Sequence, residues 1–187
     1  MADKRKYKMQ PVGLLMKEHR IIERMVSLLD KERKELQENK DVDVCFLKIA
    51  VDFFRFYADR CHHGKEEDIL FNKLEKKDIS KKQQEIMEGL LADHKKGRKL
   101  TKELDQLADR EKEAGIKDKI INILDELVFL YRQHIQKEDK QFFLPVMEYF
   151  DNTEKDEMID KFFDFDKELI HEKYRKIVES RENKVYE

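Results

Sequence analysis

Two kinds of side chain recur one helical turn apart in this chain, histidine followed by glutamate. His62-His63-Gly64-Lys65-Glu66-Glu67 contains two such pairs in adjacent registers, His62 with Glu66 and His63 with Glu67. His134-Ile135-Gln136-Lys137-Glu138 contains a third. Residues four apart share a face of a helix, so each pair presents an imidazole and a carboxylate side by side. Nitrogen and oxygen donors so placed are ligands for a transition-metal ion, and pairs on separate helices suggest a metal site built between them.

The remaining histidines bear on whether such a site closes. His19 is flanked on its apolar stripe by Leu15, Met16 and Ile22, His94 by Leu90 and Leu91, and His134 by Leu127, Leu130 and Phe142. A single histidine on an apolar face is ordinarily a core imidazole with a hydrogen-bond partner. Four helices each turning a histidine inward, two of them with a carboxylate, bury too many polar groups unless something binds them. Periodicity then selects within the doubled pair. Phe56, His63, Glu67, Leu70, Phe71 and Leu74 share one face, whereas the His62 register meets Arg55, Asp59 and Lys73. The expected pair is therefore His63 with Glu67, with His62 and Glu66 at a solvated rim. On the fourth helix Glu138, four residues after His134, is preferred to Asp139 at five. The expected ligand set is His19, His63, Glu67, His94, His134 and Glu138.

These residues need long helices to hold them, and the composition supplies them. Of 187 residues 44% are charged, with only 5 Gly, 2 Pro and no Trp, which favours amphipathic helices over sheets. Apolar steps of three and four predict a first helix near 11–38 and a second near 44–75. A third opens at the Ser80/Gln83 capping box and ends near Gly115. A fourth carries Ile120 to Phe142 and stops or kinks at Pro145. Asn152-Thr153 is expected to cap a fifth. The fold class is all-α: an up-down-up-down antiparallel four-helix bundle with an additional C-terminal helix. One domain is expected over 1–187, with the bundle core about 11–150 and the extra helix about 153–181.

Other function classes are disfavoured. Forty basic and 42 acidic residues give a net charge of -2, without the basic excess of a nucleic-acid binder. Cys45 and Cys61 make no disulfide framework and no Cys-x-x-Cys motif. No apolar run approaches the ~18 residues of a membrane span, and no signal-peptide pattern opens the chain, so the cytoplasm is the expected compartment.

The order His19, His63-x-x-x-Glu67, His94, His134-x-x-x-Glu138 resembles the hemerythrin-like, or HHE cation-binding, family. Lys17-Glu18-His19, His62 to Phe71, Asp93-His94-Lys95-Lys96-Gly97-Arg98 and His134 to Asp139 carry the likeness, one word per helix, over roughly 12–147. The resemblance implies two iron ions in an oxo- or hydroxo-bridged centre, with the four histidines as terminal ligands and Glu67 and Glu138 as bridges. It implies binding or sensing of oxygen or a related diatomic molecule. Alternatively it implies an enzyme acting on peroxide or nitric oxide or repairing iron centres, with iron storage a weaker reading. Arg98 stands where oxygen-carrying hemerythrins have another histidine, and Glu138 sits at i+4 where they place a carboxylate at i+5. Both features are nearer the bacterial and archaeal branch. The missing ligand leaves a position for water, oxygen, peroxide or nitric oxide. His171 is the alternative occupant, although Lys167 and Arg175 one turn away mark a surface histidine. Tyr57 and Tyr131 are candidate hydrogen-bond donors or occasional ligands near the site, and Cys61 reads as a small core or rim residue. A sensor would need a separate protein partner, because no output domain is fused.

Overall fold

The computed structural model describes residues 10–182, and the side chains of residues 10–169. Pro11 opens α1 (Pro11–Gln37) at the position where a missing N–H costs nothing. The chain leaves it through Asn39, at φ 68°. Asp43 caps α2 (residues 44–74), its carboxylate accepting the Phe46 N–H at 2.9 Å. This helix starts as Val44–Phe53 and continues unbroken through two π-helical stretches, Phe54–His63 and Glu66–Phe71, to a last turn at Asn72–Leu74.

Ser80 caps α3 (Lys81–Ala108) by accepting the Gln83 N–H at 3.3 Å. The other half of the expected box is replaced: the Ser80 N–H donates to the Tyr149 hydroxyl at 3.0 Å. Gly115, at φ 76°, turns the chain into α4, which runs as Ile116–Lys137, a π-helical stretch Glu138–Phe142, Phe143–Val146 and a 3-10 turn Met147–Tyr149. Pro145 therefore lies inside the last turns rather than at the stop. α5 (Asn152–Glu182) is capped by Asp151, one residue before the expected cap. Its Oδ1 accepts the Glu154 N–H at 2.9 Å, and Glu154 accepts the Asp151 N–H at 3.0 Å.

Each of α1 to α4 packs against two others, α1 on α2 and α4, and α3 on α2 and α4, closing an up-down-up-down ring. α5 lies across α1 and α2. Among the described residues there is no strand. Every helix of the ring reads apolar, polar, apolar along its buried face. Leu15, His19 and Ile22 follow one another on α1, and Leu90, His94 and Leu100 on α3, all buried. The layers stack into two apolar clusters, one around Leu29, Leu104 and Leu124 and one around Leu70, Leu90 and Phe142, with the histidines between them.

Charge ties α1 to α4 away from that layer. The nearly buried Asp30 accepts from Arg33 at 2.7 Å, Lys34 at 3.1 Å and, across the interface, Arg132 at 3.1 Å. The Arg33 hydrogen bond, with those from Lys34 and Arg132 outweighing burial, holds its carboxyl well below the usual range. A depressed carboxylate stabilises the fold above its unfolded pKa and loses that contribution as pH falls toward the folded value. Asp30→Asn should cost about 1–2 kcal/mol at pH 7. Urea denaturation at pH 7 and pH 3 should show the difference from the parent shrinking at the lower pH.

Candidate metal centre

The π-helical windings decide which side chains reach the middle layer. Hydrogen bonds from i to i+5 add a residue to the turn, so a face drawn at 3.6 residues per turn drifts. Across Phe54–His63 the drift brings His62 and His63 inward together, at 1% and 3% exposure. Glu66 then turns fully inward, and the Glu67 side chain is left 25% exposed. This corrects two expectations: His62 and Glu66 are not at the rim, and Glu67 is not the inward carboxylate. On α4, Glu138 is fully buried at the start of the third π-helical stretch, and Asp139 lies at the edge.

The inward atoms form two groups, His63, Glu66, His94 and His134, and His19, His62, Glu66 and Glu138. Within each, the donor atoms lie within 4.8 Å of one another. Both carboxylates span the groups. Glu66 Oε1 is 3.5 Å from His62 Nε2 and its Oε2 3.4 Å from His94 Nε2. Glu138 Oε2 is 3.1 Å from His19 Nε2 and its Oε1 3.2 Å from His134 Nε2. Nε2 of His19, His62 and His63 and all four oxygens of Glu66 and Glu138 are buried without a hydrogen bond. Nε2 of His94 and His134 approach each other to 3.2 Å. Orphaned polar atoms at this density are costly in a protein interior. The donor set fits cations.

A second ring of carboxylates stands behind the imidazoles. Nδ1 of His19 faces Asp139 at 2.7 Å, of His62 Glu18 at 2.9 Å, and of His94 Glu67 at 2.7 Å. Nδ1 of His63 lies 3.4 Å from Asp59, and that of His134 lies 3.5 Å from Asp93. An ionised carboxylate only accepts, so this ring favours a proton on each Nδ1 and aims each Nε2 inward. Arg98 binds two members of the ring, Asp59 through Nε at 2.7 Å and Glu67 through Nη2 at 2.6 Å. Where a further histidine was expected by analogy, the arginine steadies the supports of His63 and His94, and the fifth imidazole comes from His62.

The electrostatics are divided. Burial pushes the His63 imidazole down to about 4 and His62 well below its usual value, with neighbouring imidazoles adding to the effect. Burial is outweighed at His19, raised to about 9 by Asp139 and Glu138, and at His134, raised to about 10 chiefly by Glu138 and Asp93. Burial beside Glu138 drives the Glu66 carboxyl well up, whereas His134 and His19 overcome burial to hold Glu138 well down. Glu67 falls to about 2, its partial burial overcome by His94 and Arg98.

Tyr131 stacks beside His63 at 6.2 Å, and Tyr57 packs on Phe53 at 5.1 Å. The Cys61 thiol points away from them and donates to Asp166 at 3.2 Å, and burial pushes it up to about 12. The side chain of His171 lies outside the described residues. The doubled His-His and Glu-Glu was the available signal for His62 and Glu66. Acids adjoining histidines, in Glu18-His19 and Asp93-His94, pointed to the outer ring.

The profile of the Hemerythrin HHE cation binding domain matches residues 10–146 and, overlapping, 85–170. The chain belongs to this family. The longer match runs from the start of α1 into the last turns of α4 and covers all the residues of the two groups. No curated protein and no solved structure matches the hemerythrin-like chain. Among the described residues no helix is long and apolar enough to cross a membrane.

Proposed function

We propose that the protein is a non-haem di-iron protein that binds or senses oxygen or a related diatomic molecule. The observation that carries this reading is the pair of donor groups sharing Glu66, with most of their inward-facing atoms lacking a hydrogen-bond partner. One ion would be held by His63, His94 and His134, the other by His19 and His62, with Glu66 and Glu138 bridging. Bridging carboxylates screen two like charges at close range. Iron supplies, when bound, reversible electron exchange with a diatomic ligand. The protein's part is to aim five imidazoles, exclude water between two apolar clusters and limit ligand size. The two-histidine group has fewer protein donors and is the natural place for an exogenous ligand. A cavity of about 190 Å³, lined by Phe54, Asp59, His63, Arg98 and Tyr131 among others, lies on the other side, against the His63 imidazole.

Anaerobic reconstitution with iron(II) should load two ions per chain, one per donor group. Visible absorption should then change on exposure to oxygen or nitric oxide. Failure to take up iron sinks the reading. Loaded protein that is spectroscopically silent to both gases, but consumes peroxide catalytically, would place it among the peroxide enzymes instead.

A further inference from the structure

We propose that α5 belongs to the support of the metal centre, its docking linked to the orientation of His62 through the side chains Asp166, Lys65, Glu18 and His62. The inference rests on the di-iron reading above. α5 presents Met158, Phe162, Phe165 and Leu169 to the bundle at steps of four, three and four, and Met158, Phe162 and Leu169 are buried. Phe165 meets α2 at Gly64, inside the ligand-bearing stretch. A Cβ there would stand 2.7 Å from Phe165 Cζ. This close approach gives a reason for a glycine in mid-helix.

The polar path begins one residue further on. Asp166 accepts from Lys65 Nζ at 2.8 Å. Lys65 is 1% exposed, and also donates to Glu18 Oε1 and to Cys61 Sγ, the latter at 3.6 Å. The other Glu18 oxygen is the one that faces His62 Nδ1 at 2.9 Å. Glu18, Cys61 and Asp166 have the composition of a metal site, but the Lys65 ammonium already sits among them. An ammonium so deeply buried needs both carboxylates. When Asp166 is lost, Lys65 gains by turning toward water, and Glu18 either follows it or loses its cation. In both cases the imidazole with most to lose is His62, one of only two in its group. Linkage then runs both ways: a docked α5 strengthens ion binding at that group, and a bound ion strengthens docking of α5 by the same factor.

The test uses the full chain, with anaerobic iron(II) titration and limited proteolysis within α5 as paired readouts. Asp166→Ala should weaken binding of one of the two ions about 10-fold or more, in the range seen when a ligand's supporting hydrogen bond is removed, and should speed cleavage in α5. Gly64→Ala should do the same by displacing Phe165 without removing any polar group. Glu157→Ala, which removes an exposed α5 partner of Lys73, should leave the iron isotherm unchanged. Iron should protect α5 in the parent and protect it much less in His62→Ala. Variants that cleave faster with an unaltered isotherm, or that alter neither readout, overturn the linkage while leaving the di-iron reading intact. A parent that takes up no iron overturns both. If Gly64→Ala does not fold, Asp166→Ala and the iron-dependent protection decide.

Discussion

Replacing Glu66 by alanine should strip both ions from the protein, whereas replacing Glu67 should leave both bound. Glu66 is fully buried and belongs to both donor groups, with one oxygen directed toward each. On the di-iron reading, its loss would remove a donor shared by both ions and the negative charge between them. Glu67 touches neither group through Nε2; it accepts from His94 Nδ1 and from Arg98. Its loss should therefore weaken iron binding about 10- to 100-fold through a misdirected imidazole, without lowering stoichiometry at saturating iron. Iron content after desalting, together with anaerobic titration, separates the two outcomes. A Glu67→Ala protein without iron beside a Glu66→Ala protein with two ions would restore the register drawn at 3.6 residues per turn.

That contrast marks where the sequence was legible and where it was not. The four-helix ring was readable because Leu15, Ile22, Leu29 and Leu36 on α1, and their equivalents on the other helices, keep a constant period and a constant polarity. His19, His94 and His134 were readable for the same reason, each lying on such a stripe within regular α-helix. His62 and Glu66 were not, because their helix leaves that period at Phe54, and no residue near it announces the change. Regular spacing predicts one inward face, so it assigned Phe56, His63 and Glu67 to that face and sent His62 to solvent. The structure buries both histidines because the π-helical turn holds an additional residue. Arg98 is the complementary case. Its position invited comparison with a missing ligand, yet its role depends on Asp59 and Glu67, which come from another helix and cannot be paired with it from spacing alone.

Removing the ions should lower thermal stability more than any single surface substitution. Five imidazoles and two carboxylates share one layer between two apolar clusters, and most of their inward atoms have no protein partner. A ligand bound only by the folded state stabilises it by RT ln(1 + [L]/Kd), about 4 kcal/mol when free iron stands 1,000-fold above Kd. For a chain of this size, each kcal/mol moves Tm by about 2–4 °C. With two such sites, iron-loaded protein should therefore melt roughly 20 °C above chelator-treated protein. The flanking clusters should keep the apo chain helical, so the expected loss is of Tm rather than of far-UV circular dichroism. Glu66→Gln supplies the control: it preserves side-chain volume and removes the anionic donor shared by both groups. Its apo Tm should stay close to that of the parent, while the rise on adding iron should collapse. Equal rises in parent and variant would mean that iron stabilises the chain from somewhere other than this layer.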